Sequence, residues 1–168
     1  AVNRHYTPPT APIEHWLALA EFLGLERGCV VMSNVYEYDV ASAIDAVAKS
    51  DGRLVGMVRY NPDFDDAQLK DLHAKGIRGM RINLVQKFDG AFDRKTFDHI
   101  IALADKAGWV VALHMDPPSL LKIADEIRKM PVTTVIDNYA MIDAREGLDQ
   151  PAVKTLIDLA QEKHVWLK

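Results

Sequence analysis

Short apolar runs alternate along the whole chain with segments of helical period, and this alternation restricts the possible folds more than any other feature of the sequence. The runs are "GCVVMSN" (Gly28–Asn34), "LVGMVRYN" (Leu54–Asn61), "IRGMRINL" (Ile77–Leu84), "WVVALHMD" (Trp109–Asp116), "TTVIDNYA" (Thr133–Ala140) and "HVWLK" (His164–Lys168). A strand that is apolar throughout, with no polar alternation, is covered on both faces, as in a parallel sheet flanked by helices. The helical segments are Pro12–Leu25, Val40–Lys49, Ala67–Lys75, Arg94–Lys106, Ser119–Lys129 and Ala152–Lys163. Asp65 or Asp66 and Asp93 stand where a helix needs an N-cap, and Gly24, Gly76 and Gly108 where one needs a left-handed stop. The order α(βα)₅β describes consecutive βα units in one domain over residues 1–168.

Two details favour a TIM-like (β/α)8 barrel over an open doubly wound sheet. The first strand-to-helix turn, "MSNVYEYD", has none of the glycines with which a dinucleotide-binding sheet cradles pyrophosphate. Nearly every strand also ends in polar residues: Ser33 and Asn34, Arg59 and Asn61, Arg81 and Asn83, His114 and Asp116, Asp137 and Asn138. In a barrel these ends converge on the mouth where catalytic groups sit. Six strands do not close a barrel of eight, so the domain is expected to be partial. Either a first strand and the last strands lie outside this sequence, or a second copy covers the open edges in a homo-oligomer.

With 20 Lys and Arg against 24 Asp and Glu, the formal charge is −4 and no block of like charge occurs. That argues against nucleic acid or an anionic membrane as a partner and leaves a small molecule. No apolar run approaches the roughly 20 residues that span a bilayer. The single cysteine, Cys29 in "GCVVM", is expected to pack as a small core residue in a reducing, cytoplasmic compartment.

Among groups that can carry chemistry, Arg78 and Arg81 point to opposite faces of one strand, because side chains alternate with period two. A guanidinium among apolar residues needs a carboxylate partner or an anionic ligand. Arg81 is the candidate for the mouth, and Lys87 could reach the same ligand from the following loop. His114, at the end of an apolar strand, is the candidate general acid or base, since imidazole alone titrates near neutrality. Asp116 and Asp137 are its nearest acids in the sequence, and only one of Asp137 and Asn138 can face inward. Ser33 can donate a hydrogen bond to a ligand. No pair of histidines has the spacing of a helical metal site, and there is no nucleophile elbow and no P-loop.

The segments "YTPPTAPIEHWLALAEFLGLERGCVVMSNVYEYD", "DLHAKGIRGMRINLV", "GWVVALHMDPPSL" and "TTVIDNYAMIDAREG" closely resemble the amidohydrolase-2 group of the amidohydrolase superfamily, and within it the 2-pyrone-4,6-dicarboxylate lactonases. The resemblance covers essentially all 168 residues, and "GIRGMRINL" is its most specific piece. It implies a distorted (β/α)8 barrel that opens a small carboxylated lactone with water. It further implies that Ser33 and Arg81 contact a substrate carboxylate, with Lys87 standing where the lactonases have another arginine and His114 where they have a tyrosine. Asn138 replaces a histidine that binds the reacting carbonyl or, in metal-using relatives, a divalent metal such as zinc. An amide can polarise a carbonyl but is a poor transition-metal ligand, so this chain supports no metal. The family's His-x-His strand and its catalytic aspartate have no counterpart here, so the 168-residue chain alone is expected to be inactive. The alternatives are a degenerate barrel that binds ligand without turnover, or a decarboxylase or lactone isomerase of the same superfamily.

Overall fold

A computed structural model describes residues 10–33, 36–85 and 93–168. Asn34 and Lys87 lie outside the described residues. The chain divides into two compact units, Ala1–Arg78 and Gly79–Lys168, and the boundary falls inside one strand.

The first unit comprises α1 (Ile13–Leu23), β1 (Gly28–Val31), α2 (Ala41–Ala48), β2 (Leu54–Arg59), α3 (Asp66–Ala74) and the start of β3 (Ile77–Asn83). Its punctuation follows the sequence. The helix α1 stops at Gly24, in the left-handed region at φ 68°. Asp65 caps α3 through a reciprocal box: its carboxylate accepts from the Gln68 amide at 2.8 Å, and the Gln68 side chain accepts from the Asp65 amide at 2.9 Å. Arg78 has no carboxylate partner among the described residues. Its guanidinium donates instead to the His73 and Ile77 carbonyls, at 2.5 and 2.8 Å, beside the negative end of α3.

In β1 and β2, which pair in parallel, Cys29 lies beside Val55. Leu54 and Val58, on the opposite face, are buried, whereas Cys29 and Val55 are exposed. Cys29 is therefore not the core residue that its apolar neighbours suggested.

The second unit continues β3 and adds α4 (Arg94–Ala107), β4 (Val110–His114), α5 (Pro117–Arg128), β5 (Thr134–Ile136), α6 (Pro151–Leu159) and β6 (Val165–Leu167). The six strands form a parallel sheet in chain order, β1 to β6, with no reversal. That is the singly wound topology of successive (β/α)8 units and differs from a doubly wound sheet, which reverses at a switch point. Met80, Val111, Leu113, Thr134 and Ile136 are fully buried and line the face packed on helices.

Two of the boundaries that differ from the sequence reading bear on the site. The helix α5 begins at Pro117, not Ser119, because Pro117 and Pro118 occupy its first turn, where no backbone donor is needed, and Asp116 caps it by accepting from the Ser119 amide at 3.1 Å. Strand β5 ends at Ile136, not Ala140, because Asn138, Tyr139, Ala140 and Met141 all have φ between 49° and 55°. Among the described residues no helix is long and apolar enough to cross a membrane.

Gly76 joins α3 to β3 at φ 87°, and a methyl group there would lie 2.5 Å from Val47 Cγ1. Gly76→Ala is expected to lower the unfolding free energy by about 1–2 kcal/mol from backbone strain alone, measured by urea titration.

Candidate functional site

Parallel pairing aligns the strand ends of the second unit. Asn83 lies beside His114, Arg81 beside Ala112, Ala112 beside Val135, and Val135 beside Trp166. Pairing continues past the last regular positions, since the Leu84 amide donates to the His114 carbonyl at 2.7 Å and the Lys168 amide to the Ile136 carbonyl at 3.0 Å. His114, Asp137 and Lys168 thus occupy the carboxyl ends of β4, β5 and β6, on the face away from Leu113 and Ile136.

Asp137 is the centre of the site. Its side chain is only 1% exposed, and each carboxylate oxygen takes one cation: Arg81 Nε donates to Oδ2 at 2.9 Å and Lys168 Nζ to Oδ1 at 2.9 Å. Arg81 is largely enclosed, whereas Lys168 is about half exposed, at 55%. Burial of a lone carboxylate is costly, and two charge-assisted hydrogen bonds offset that cost. With two cations against one carboxylate, the cluster carries an excess positive charge.

His114 completes this group. Burial, reinforced by the charges of Arg81 and Lys168 and opposed by Asp137, holds its pKa below the ordinary imidazole value of 6.5. The ring is therefore neutral at physiological pH. Its Nδ1 is buried without a hydrogen-bond partner among the described residues. Such a nitrogen costs free energy unless a ligand or a proton transfer uses it, which marks the ring as a candidate for chemistry.

The structure brings Arg81 and His114 into one charged group with Asp137 and Lys168. Of the Asp137–Asn138 pair, Asp137 is the buried member, while Asn138 is exposed on the left-handed turn that follows. The Tyr139 amide donates to the Lys168 carbonyl at 3.1 Å and ties that turn to the end of β6. Ser33 belongs to the first unit, where it is exposed just beyond β1. Asp116 serves as the cap of α5. His164 Nε2 lies 3.0 Å from the Ile127 carbonyl, a structural contact. The sequence reading passed over Lys168 and treated Asp137 only as a nearby acid; the signal available was the lone cation closing the apolar run "HVWLK".

Among the described residues no three His, Cys, Asp or Glu side chains are placed to hold a metal ion. Asp137 is engaged by two cations, and Asn138 is a poor ligand. These donors do not fit a catalytic metal, and no step is assigned to one.

A parallel, singly wound α/β chain with ionisable groups gathered at its strand ends is the class of protein that fold and site define. The amidohydrolase family model matches residues 1–168, and the chain belongs to that family. It is 36% identical over 169 residues to the 4-sulfomuconolactone hydrolase of Rhizobium radiobacter, covering 100% of this chain and 56% of the relative. It is 34% identical over 167 residues to the enzyme of the same name from Hydrogenophaga intermedia, covering 99% and 55%. A crystal structure from Acinetobacter baumannii, described as a probable 2-pyrone-4,6-dicarboxylic acid hydrolase with citric acid bound, superposes with a TM-score of 0.85 at 20% identity, covering 98% of this chain and 62% of that one. The chain spans a little over half the length of the two curated relatives.

The depressed His114 pKa has a consequence for stability. Below 6.5 the unfolded chain takes up a proton that folded His114 resists, so the stabilisation present above that pH is lost as pH falls toward the folded value. Urea titrations at about pH 7.5 and 5.5 are expected to show a larger loss for the native chain than for His114→Gln.

Proposed function

We propose that the protein containing this chain is a cytoplasmic hydrolase that opens a small lactone bearing anionic groups by attack of water. The excess positive charge around buried Asp137, at the carboxyl ends of the strands, is the observation that carries this reading. It supports an anionic ligand, and both curated relatives are named as hydrolases of a sulfonated lactone.

Arg81 holds an acid group of the substrate. It keeps one N–H on Asp137, and its terminal Nη1 and Nη2 form no hydrogen bond among the described residues, leaving a planar fork for a carboxylate or sulfonate. Lys87 and Ser33 keep the substrate-binding roles that the family resemblance implies. Asn138 donates its amide to the lactone carbonyl, stabilising the oxyanion as water adds, and neutral His114 takes or returns a proton. The acyl carbon–oxygen bond then breaks, and the ring oxygen leaves as a hydroxyl group. A chain with the same anion site but no turnover is the reading that fails to need His114.

Ring opening is followed by NMR, comparing a lactone that bears carboxylates with the unsubstituted ring. Arg81→Met is expected to lower kcat/KM for the acid-bearing lactone by about 100-fold and to leave the unsubstituted ring little affected. Asn138→Ala is expected to lower kcat by about 10²–10³. Equal turnover of both rings by the native protein contradicts the proposal, and binding of the acid-bearing ring without product supports a binder.

A further inference from the structure

Lys168 is the charged group at the site to which neither the family resemblance nor the sequence reading gives a role. We propose that Lys168 is a second contact for the substrate's anionic groups, working with Arg81, and that Asp137 is a positioning residue that holds the two cations apart and aimed at one ligand. The inference rests on the reading of the site as one for acid-bearing lactones and adds to it which residues read the acid groups.

The geometry supports a pair and not two separate salt bridges. Arg81 Nε and Lys168 Nζ each take a different oxygen of the same carboxylate, both at 2.9 Å. The two cations are therefore held within the span of one carboxylate and two hydrogen bonds, a distance commensurate with acid groups on the same small ring. A buried carboxylate needs a counter-ion, and largely enclosed Arg81 already supplies one. A second cation leaves the cluster positive, a state that an anionic ligand relieves.

The donors that remain are also suitable. An ammonium has three N–H groups, of which Lys168 commits one to Asp137, which leaves two for a ligand. The two cations differ in what they select. A guanidinium favours a planar group met by two parallel hydrogen bonds, whereas an ammonium is a point charge that takes a carboxylate or a tetrahedral sulfonate equally well. Lys168 would thus supply affinity for the second acid group with little preference for its shape. The backbone holds it in place, because the Lys168 amide donates to Ile136 and its carbonyl accepts from Tyr139, on either side of Asp137.

The test compares Lys168→Met, Lys168→Arg and Asp137→Asn with the native sequence, each in the whole protein that contains this chain, using 2-pyrone-4,6-dicarboxylate as the probe. Dissociation constants come from calorimetry, kinetic constants from ring opening, and the His114 titration from imidazole NMR. Lys168→Met is expected to weaken binding about 10–100-fold and to raise KM by more than it lowers kcat, while Lys168→Arg stays within several-fold of native. Asp137→Asn is expected to weaken binding as well. Because Lys168 lowers the His114 pKa and Asp137 raises it, Lys168→Met moves the imidazole titration up and Asp137→Asn moves it down, shifts that a purely structural loss would not order in this way. If the native protein binds and opens the probe but Lys168→Met does both with unchanged constants, or if Lys168→Arg binds as weakly as Lys168→Met, the inference fails and the hydrolase reading stands. If the native protein neither binds nor opens the probe, the hydrolase reading fails and takes the inference with it.

Discussion

The arrangement of the second unit depends on one buried carboxylate. Asp137, at 1% exposure, is removed from water, and Arg81 and Lys168 each donate to one of its oxygens. That pairing reaches into the backbone. Directly after Asp137 the chain leaves the strand and passes through four consecutive non-glycine residues at positive φ, a conformation that costs about 1–2 kcal/mol per residue. Such a turn persists only where its surroundings over-determine it. The paired carboxylate on one side and the Tyr139–Lys168 backbone bond on the other do so.

The same strands separate stability from chemistry by face. Met80, Val111, Leu113 and Ile136 bury their side chains against the helices and carry the hydrophobic stabilisation of the unit. Arg81 and Asp137 alternate with them and are held by hydrogen bonds and charge, and His114 lies on the same face. A substitution on the first face acts through cavities and overpacking. One on the second acts through desolvated charge, so the two kinds of variant are distinguishable by their response to salt and pH.

Much of the fold was legible because it rests on local chemistry. Asp65, Asp93, Gly24 and Gly108 punctuate the helices as their side chains and φ values require, and all six apolar runs are strands. The site was legible in part. Arg81 and His114 stood out as polar groups ending apolar strands. What period and composition do not encode is where the strand ends: Asp137 follows the pleat onto the site face and meets its ion-pair partners there, while Asn138 falls on the exposed left-handed turn. Lys168 was passed over because its significance lies in a partner 31 residues away. Cys29 was misjudged because a strand of small apolar residues does not announce which of its faces the helices cover.

The reach of those ion pairs has a consequence for how the molecule assembles. Arg81 and Asp137 are 56 residues apart in sequence, and Asp137 and Lys168 are 31 apart. Contacts of such range form only after the entropy of closing long loops has been met, so they come late in folding. The helices and individual βα units can take shape earlier, but the charged cluster exists only once β6 has docked. Maturation of the pocket is therefore coupled to completion of this part of the sheet, and a chain arrested before that step would lack its recognition chemistry while retaining most of its secondary structure.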